Sequence, residues 1–233
     1  MTPGARLSAA IEVLDRVLAG EAAEQALTNW GRANRFAGSG DRAALRDLVY
    51  EALRCKRSFA ALGGAETGRG LVLGGARAAG QEALFDGIGH APLPPSAEEA
   101  GSLSEGNVAL DCPDWLSPRL QDSLGADFAP VMAALRHRAP TYLRVNLAKI
   151  PRAAVQAELA AAGIVTVPHP DVSSALEVTA NARKIQSSPA YLEGRVELQD
   201  AASQAVVEAL PLKDGMRVLD HCAGGGGKTL AMA

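Results

Sequence analysis

The sequence predicts an all-α N-terminal part followed by an α/β part, and three observations carry that expectation. Up to about Gly80, apolar residues recur at the three-and-four spacing of helices with one buried face. Between His90 and Pro113 the composition shifts to Pro, Gly, Ser and Glu, and periodicity disappears. Beyond it, short β-branched runs alternate with helical stretches, and an apolar run ends in four consecutive glycines, Gly224 to Gly227.

The helices follow in order. Leu7, Ala10, Ile11, Leu14, Val17 and Leu18 form one stripe, and Ala22 to Trp30 is a second helix. Asp41 is expected to cap a third, whose stripe is Leu45, Leu48, Val49, Ala52 and Leu53, with Gly63 and Gly64 as its stop. The stretch from Gly68 to Gly87 is helical by pattern, although each interior glycine costs about 1 kcal/mol relative to alanine. Close helix packing would explain those glycines. His90 to Pro113 reads as a linker. Then come a helix after Pro113-Asp114-Trp115-Leu116, a helix at Pro130 to His137, and strands at Thr141 to Leu147, Ile164 to Val167, Ala175 to Thr179 and Arg195 to Leu198. Helices at Ala153 to Ala162 and Ala201 to Leu210 alternate with them, Gly163 ending the first. Met216 to Asp220 reads as a buried strand, and no internal repeat is visible.

Composition narrows the function classes. The chain has 233 residues, of which 48% are hydrophobic and 21% charged, with a net charge of −3. That is a folded protein that does not hold nucleic acid by bulk charge, although local charge can differ from the total. No apolar run reaches the roughly eighteen residues of a membrane span, and the N-terminus lacks the apolar core of a signal peptide. Cys55, Cys112 and Cys222 are too few and too far apart for a disulfide framework or a zinc site, which points to the cytoplasm. His90, His137, His169 and His221 show no metal-ligand spacing, so no metal is expected. Trp30 and Trp115 read as packing residues.

The informative segment is GMRVLDHCAGGGGKTLAMA at the C-terminus. A strand ending in Asp220, a glycine turn and a helix opening at Lys228 and Thr229 are the parts of a ligand site at the carboxyl end of a sheet. Glycines let the backbone pass close to a ligand, and helix N–H groups favour an anion, either a carboxylate or a phosphate. The ending Gly227-Lys228-Thr229 imitates a phosphate-binding P-loop, but that motif needs a glycine where Cys222 stands.

The string VLDHCAGGGGKT resembles the first S-adenosyl-L-methionine (SAM) motif of the RsmB/Sun family of RNA 5-methylcytosine methyltransferases, with Gly225 at a position where the family commonly has proline. YLRVN at Tyr142 to Asn146, LQDAASQ at Leu198 to Gln204 and PDWL at Pro113 to Leu116 resemble other motifs of that family, in its order. The N-terminal DRAALRDLVYEALR is similar to the NusB-like RNA-binding domain of its bacterial ribosomal members.

The resemblance implies a multidomain fold that combines all-α and α/β parts. Residues 1–88 would be a NusB-like helical RNA-binding domain, 89–112 a linker, 113–190 a small RRM-like α/β segment, and 191–233 the start of a Rossmann-like SAM-dependent methyltransferase domain. The implied activity is SAM-dependent formation of 5-methylcytosine in RNA, ribosomal RNA foremost, by a monomeric cytoplasmic enzyme. Cofactor contacts would come from Cys222, Ala223, Gly224, Gly225, Gly226, Gly227 and Lys228. The family's two catalytic cysteines lie downstream of the motifs present, so no catalytic residue is assigned and the polypeptide is expected to bind SAM weakly or not at all by itself. Arg42, Arg46, Arg54, Lys56 and Arg57 form either an RNA-contacting face or a solvated helix surface. Arg144 is expected either to meet a phosphate or simply to flank a strand, with RNA contact the favoured reading. Gln199 and Asp200 would help shape the cofactor site, with Asp200 also a good N-cap. Two other readings stay open: a NusB-like RNA-binding module without catalysis, and a P-loop nucleotide-binding protein.

Overall fold

A computed structural model describes all residues 1–233, and the chain divides into two compact units, Met1–Arg138 and Ala139–Ala233. The first unit is helical. Helices α1 (Pro3–Leu18), α2 (Ala23–Ala33), α3 (Ser39–Arg54), α4 (Lys56–Gly63) and α5 (Gly68–Ala78) enclose a core of Leu7, Val13, Leu14, Leu27, Trp30, Leu45, Val49, Phe59, Leu71 and Leu73. The expected stripes supply this core: Leu7, Ala10 and Leu14 are buried in α1, and Leu45, Val49 and Ala52 in α3. Asp41 does not cap α3. The helix begins at Ser39, and the Asp41 carboxylate instead takes the amino terminus of Met1 at 3.1 Å and Arg6 at 2.8 Å. The single helix expected up to Gly63 is broken at buried Cys55, and Gly64 closes α4 in the left-handed conformation.

The glycines of α5 are explained by backbone approach. A Cβ on Gly70 would lie 2.1 Å from the Ala65 carbonyl oxygen, and one on Gly74 would lie 2.0 Å from that of Phe59. On the facing helix, a Cβ on Gly63 would lie 1.8 Å from the Gly70 oxygen. The propensity cost of glycine is offset by burial of two helices at a separation no side chain allows.

The stretch expected as a linker is held to this unit. Arg69 grips Glu99 at 2.6 Å, Arg77 donates to the carbonyls of Leu62 and Glu99, and the Ser102 N–H donates to Ala61. Ser96 and Glu99 cap each other reciprocally. Side-chain to backbone bonds leave no periodicity in sequence, which is why the segment looked like a spacer. Helices α6 (Gly106–Ala109), α7 (Ser117–Leu124) and α8 (Phe128–Leu135) follow, with a small core of Cys112, Phe128 and Met132. Asp111 fastens them: its buried carboxylate accepts from the Ser58 amide at 2.9 Å and hydroxyl at 2.8 Å and pairs with Arg136.

The second unit is a four-stranded antiparallel sheet in the order β2-β3-β1-β4. Its elements are β1 (Thr141–Val145), α9 (Arg152–Ala161), β2 (Val165–Pro168), β3 (Ala175–Ala180), α10 (Pro189–Leu192) and β4 (Val196–Leu198). This β-α-β-β-α-β succession is a ferredoxin-like fold. β1 is central, with Arg144 opposite Ala175 of β3 and Glu197 of β4. One sheet face buries Leu143, Val145, Leu176 and Val196 against Val155, Leu159, Ile164 and Ile185. The strand at Val196, which the sequence reading put with the following segment, is the fourth strand of this sheet. The opposite face is covered near β1 by α11 (Ala201–Glu208), where Tyr142, Ala175, Ala201 and Ala205 meet.

The last element is α12 (Gly227–Met232). Met216 to Asp220 is not the buried strand expected: it pairs with no other strand, and Leu219 is 86% exposed. Its apolar run reads as a strand because the pattern is local, whereas a ladder needs a neighbour, and all four strands of the chain are paired with one another elsewhere.

Candidate functional site

Three motifs converge in the second unit. β1 carries YLRVN in the middle of the sheet, and LQDAASQ begins in β4 and continues into α11. The Gln199 amide donates to the Tyr142 carbonyl at 3.3 Å, so the second motif is anchored directly on the first. Asp200 caps α11 by accepting from the Ala202 amide at 2.8 Å, which is the N-cap role expected of it. Gln204, buried on the sheet side of α11, donates to the Gln199 carbonyl at 2.9 Å and accepts from the Ser174 hydroxyl at 2.9 Å.

The glycine turn reaches the same place. Gly224 and Gly226 have φ of +56° and +81°, values that suit glycine, and the Gly226 amide closes the turn on the Ala223 carbonyl at 2.9 Å. A side-chain carbon on Gly227 would lie 3.4 Å from the Gln199 amide nitrogen, whereas at Gly225 and Gly226 nothing lies within 4 Å. Gln199 Oε1 is buried and has no hydrogen-bond partner. Of the residues expected at the cofactor, Cys222, Ala223, Gly224, Gly225 and Lys228 are exposed, and Gly226 and Gly227 are half-buried, Gly227 beside Gln199.

The open glycine turn leaves room for one end of a ligand, with the Gln199 side-chain amide beside Gly227. The fit stops there. The cavity bordering this segment, about 240 Å³, is lined by Leu230, Ala231 and Ala233 of α12 and by Arg144, Ser174, Gln204 and Glu208, not by the turn. With six residues, α12 is also too short to supply the helix field that the motif suggested. Asp220 accepts from the Thr229 hydroxyl at 2.8 Å. That bond engages the hydroxyl which a P-loop would turn towards a metal ion.

Arg144 is not a surface contact for phosphate. Its side chain is 9% exposed and pairs with Glu197 at 2.6 Å across the sheet. Ser173, Ser174 and Glu208, missed in the sequence, complete the polar wall around Gln204. Burial pushes the Glu208 carboxyl up, but the hydrogen bonds it receives from Ser173 and Ser174 outweigh that and hold it below its ordinary value. The available signal was the spacing of Ala201, Gln204, Ala205 and Glu208, which aligns two polar side chains on one side of α11, Gln204 buried and Glu208 at the exposed end.

The basic residues named on and after α3 are mostly consumed within the first unit. Arg46 pairs with Glu24, Lys56 with Glu66 and Arg57 with Asp114, while Arg54 donates to the Arg136 carbonyl. Cys55 and Cys112 are buried, and burial is the main cause raising the Cys55 thiol above its usual range. Neither sulfur is open to a substrate. No helix is long and apolar enough to cross a membrane, and no group of three or more His, Cys, Asp or Glu side chains is placed to hold a metal ion.

The class this fold defines is a helical unit joined in sequence to a ferredoxin-like unit, and known proteins carry both. Residues 112–186 match the ferredoxin-like domain described for RsmF/B-like methyltransferases. The chain is 38% identical over 117 residues to ribosomal RNA small subunit methyltransferase B of Vibrio cholerae, and 36% identical over the same length to the proteins of that name from Salmonella arizonae and Escherichia coli. Each match takes in 50% of this chain but spans only 27% of the relative. Over that half, the chain is homologous to RsmB-type RNA methyltransferases. The crystal structure of PH0851 has the same fold over the whole chain, with a TM-score of 0.63, 18% identity and 61% of its own length covered.

Proposed function

We propose that this chain serves the SAM-dependent methylation of carbon five of cytosine in ribosomal RNA. The observation carrying this reading is the return of the glycine turn to the LQDAASQ motif, where Gly227 comes against the side-chain amide of Gln199 while Gly225 and Gly226 stay open. SAM, when bound, supplies the electrophilic methyl group. The open turn at Gly225 and Gly226 would let one end of it approach the backbone beside the Gln199 side chain. The family's chemistry also needs a cysteine thiolate at carbon six of the base. No cysteine of this chain has that role, since two are buried and Cys222 sits in the turn itself.

Similarity to curated ribosomal RNA methyltransferases supports the same reading, as does the homology over half of the chain. The rival, a NusB-like RNA-binding module, draws support from the helical unit's own complete core. Bisulphite sequencing of small-subunit ribosomal RNA, with and without the gene encoding this chain, separates them. The expected result is loss of one 5-methylcytosine on deletion. An unchanged map sinks the methyltransferase reading and leaves the module.

A further inference from the structure

Between α2 and α3 lies a cavity of about 320 Å³ whose lining includes Arg32, Arg42 and Arg46. Arg42 is set in advance. Its Nε donates to the Ala37 carbonyl at 3.0 Å, and its guanidinium lies over Gly31, where a side-chain carbon would already be 3.8 Å from Cδ, Nε and Cζ. The two terminal nitrogens remain available. Arg32 lines the same cavity and, with Arg35 on the α2–α3 connection, is exposed and outside every ion pair. The nearby acids are committed elsewhere: Asp41 to Met1 and Arg6, and Glu24 to Arg46. Two uncompensated guanidinium groups, Arg32 and Arg42, therefore line the cavity, and a third, Arg35, is exposed on the connection that follows α2, on a protein of net charge −3. Next to Arg35, Phe36 presents its ring to solvent at 74% exposure.

We infer that this cleft is a binding site for single-stranded RNA, with phosphates on Arg32, Arg35 and Arg42 and a base stacked on Phe36. The inference rests on the RNA substrate proposed above and gives it a location. Guanidinium forks suit phosphate oxygens, and an exposed aromatic ring beside them is the platform that unpaired bases use. A phosphopeptide would need the charge but not the ring.

The test is fluorescence anisotropy of the full chain with a labelled single-stranded RNA of about a dozen nucleotides, measured over a series of salt concentrations. The residues to be changed are exposed, and the helical circular dichroism and melting temperature of each variant should match the parent. In the Arg32→Ala/Arg35→Ala variant, the salt slope should fall by about 1.4, or roughly 0.7 for each lost phosphate contact. Phe36→Ala should weaken binding about tenfold, within the range for one base–aromatic stack. Arg119→Ala, an exposed arginine elsewhere in the same unit, should change neither. Binding by the parent that all variants retain overturns this site while leaving the RNA reading intact. Absence of RNA binding by the parent overturns both. Equal affinity for a phosphoserine peptide, lost with the arginines but indifferent to Phe36→Ala, overturns RNA as the ligand.

Discussion

Glu99 is held at about 2, below the ordinary glutamate value of 4.5, first by the Arg69 guanidinium and then by the Ser96 amide. The unfolded chain therefore takes up the proton before the folded one does. The resulting stability is complete above about pH 5 and is lost as the pH falls towards 2. Because the pair is partly open to water, its contribution at neutral pH is discounted to about 1–2 kcal/mol. Chemical denaturation at a series of pH values should show Glu99→Gln less stable by that amount at pH 7, with the difference shrinking as the pH falls from about 5 through 2. A constant difference across that range counts against the ion pair as cause. In the second unit, Glu197→Ala should cost about 3 kcal/mol, because it strands the buried Arg144 charge. A denaturation midpoint that does not move would show that water reaches Arg144.

Among the elements, α4 and α5 show how local propensity can mislead and composition still inform. Four glycines in α5 lower its intrinsic helicity, yet the helix runs from Gly68 to Ala78 because Gly70 and Gly74 admit neighbouring carbonyls to about van der Waals contact. Replacing Gly74 by alanine is favourable on propensity and unfavourable on packing. With the new carbon 2.0 Å from the Phe59 oxygen, packing decides. Gly74→Ala should destabilise the helical unit by about 3 kcal/mol. Thermal melting followed at 222 nm reads the effect, and an unchanged or raised midpoint would show that α4 and α5 can separate at little cost. Gly75→Ala is the milder companion, since its new carbon would meet only the Phe59 ring.

At the scale of the molecule, each unit has its own core, so each should unfold as its own cooperative transition. Calorimetry of the Gly74→Ala variant should move one transition and leave the other in place. A single transition that shifts as a whole would show the units to be coupled. Much of this plan was legible in the sequence. The helical stripes of α1 and α3, the strands β1 to β4 and the stop at Gly163 all follow from spacing that neighbouring residues fix among themselves. The glycine turn was legible too, because four glycines after an acid leave few alternatives. The segment 89–112 was not, since Glu99 and Ser102 owe their placement to Arg69 and Ala61, which lie far away in the chain.

The sequence by itself determined the elements, the order of the motifs and the resemblance that ties them to RNA methylation, because periodicity and turn chemistry act over a few residues. Tertiary structure alone decided which charges are available and which are spent. It turned Arg144 inward to Glu197, committed Arg46, Arg54, Lys56 and Arg57 to partners, and left Arg32, Arg35 and Arg42 facing solvent. It also set Gln199 beside Gly227 and left Met216 to Asp220 unpaired. The physical reason is that an ion pair or a ladder is a relation between distant residues, whose energy depends on where the fold brings them and not on what stands next to them in the chain.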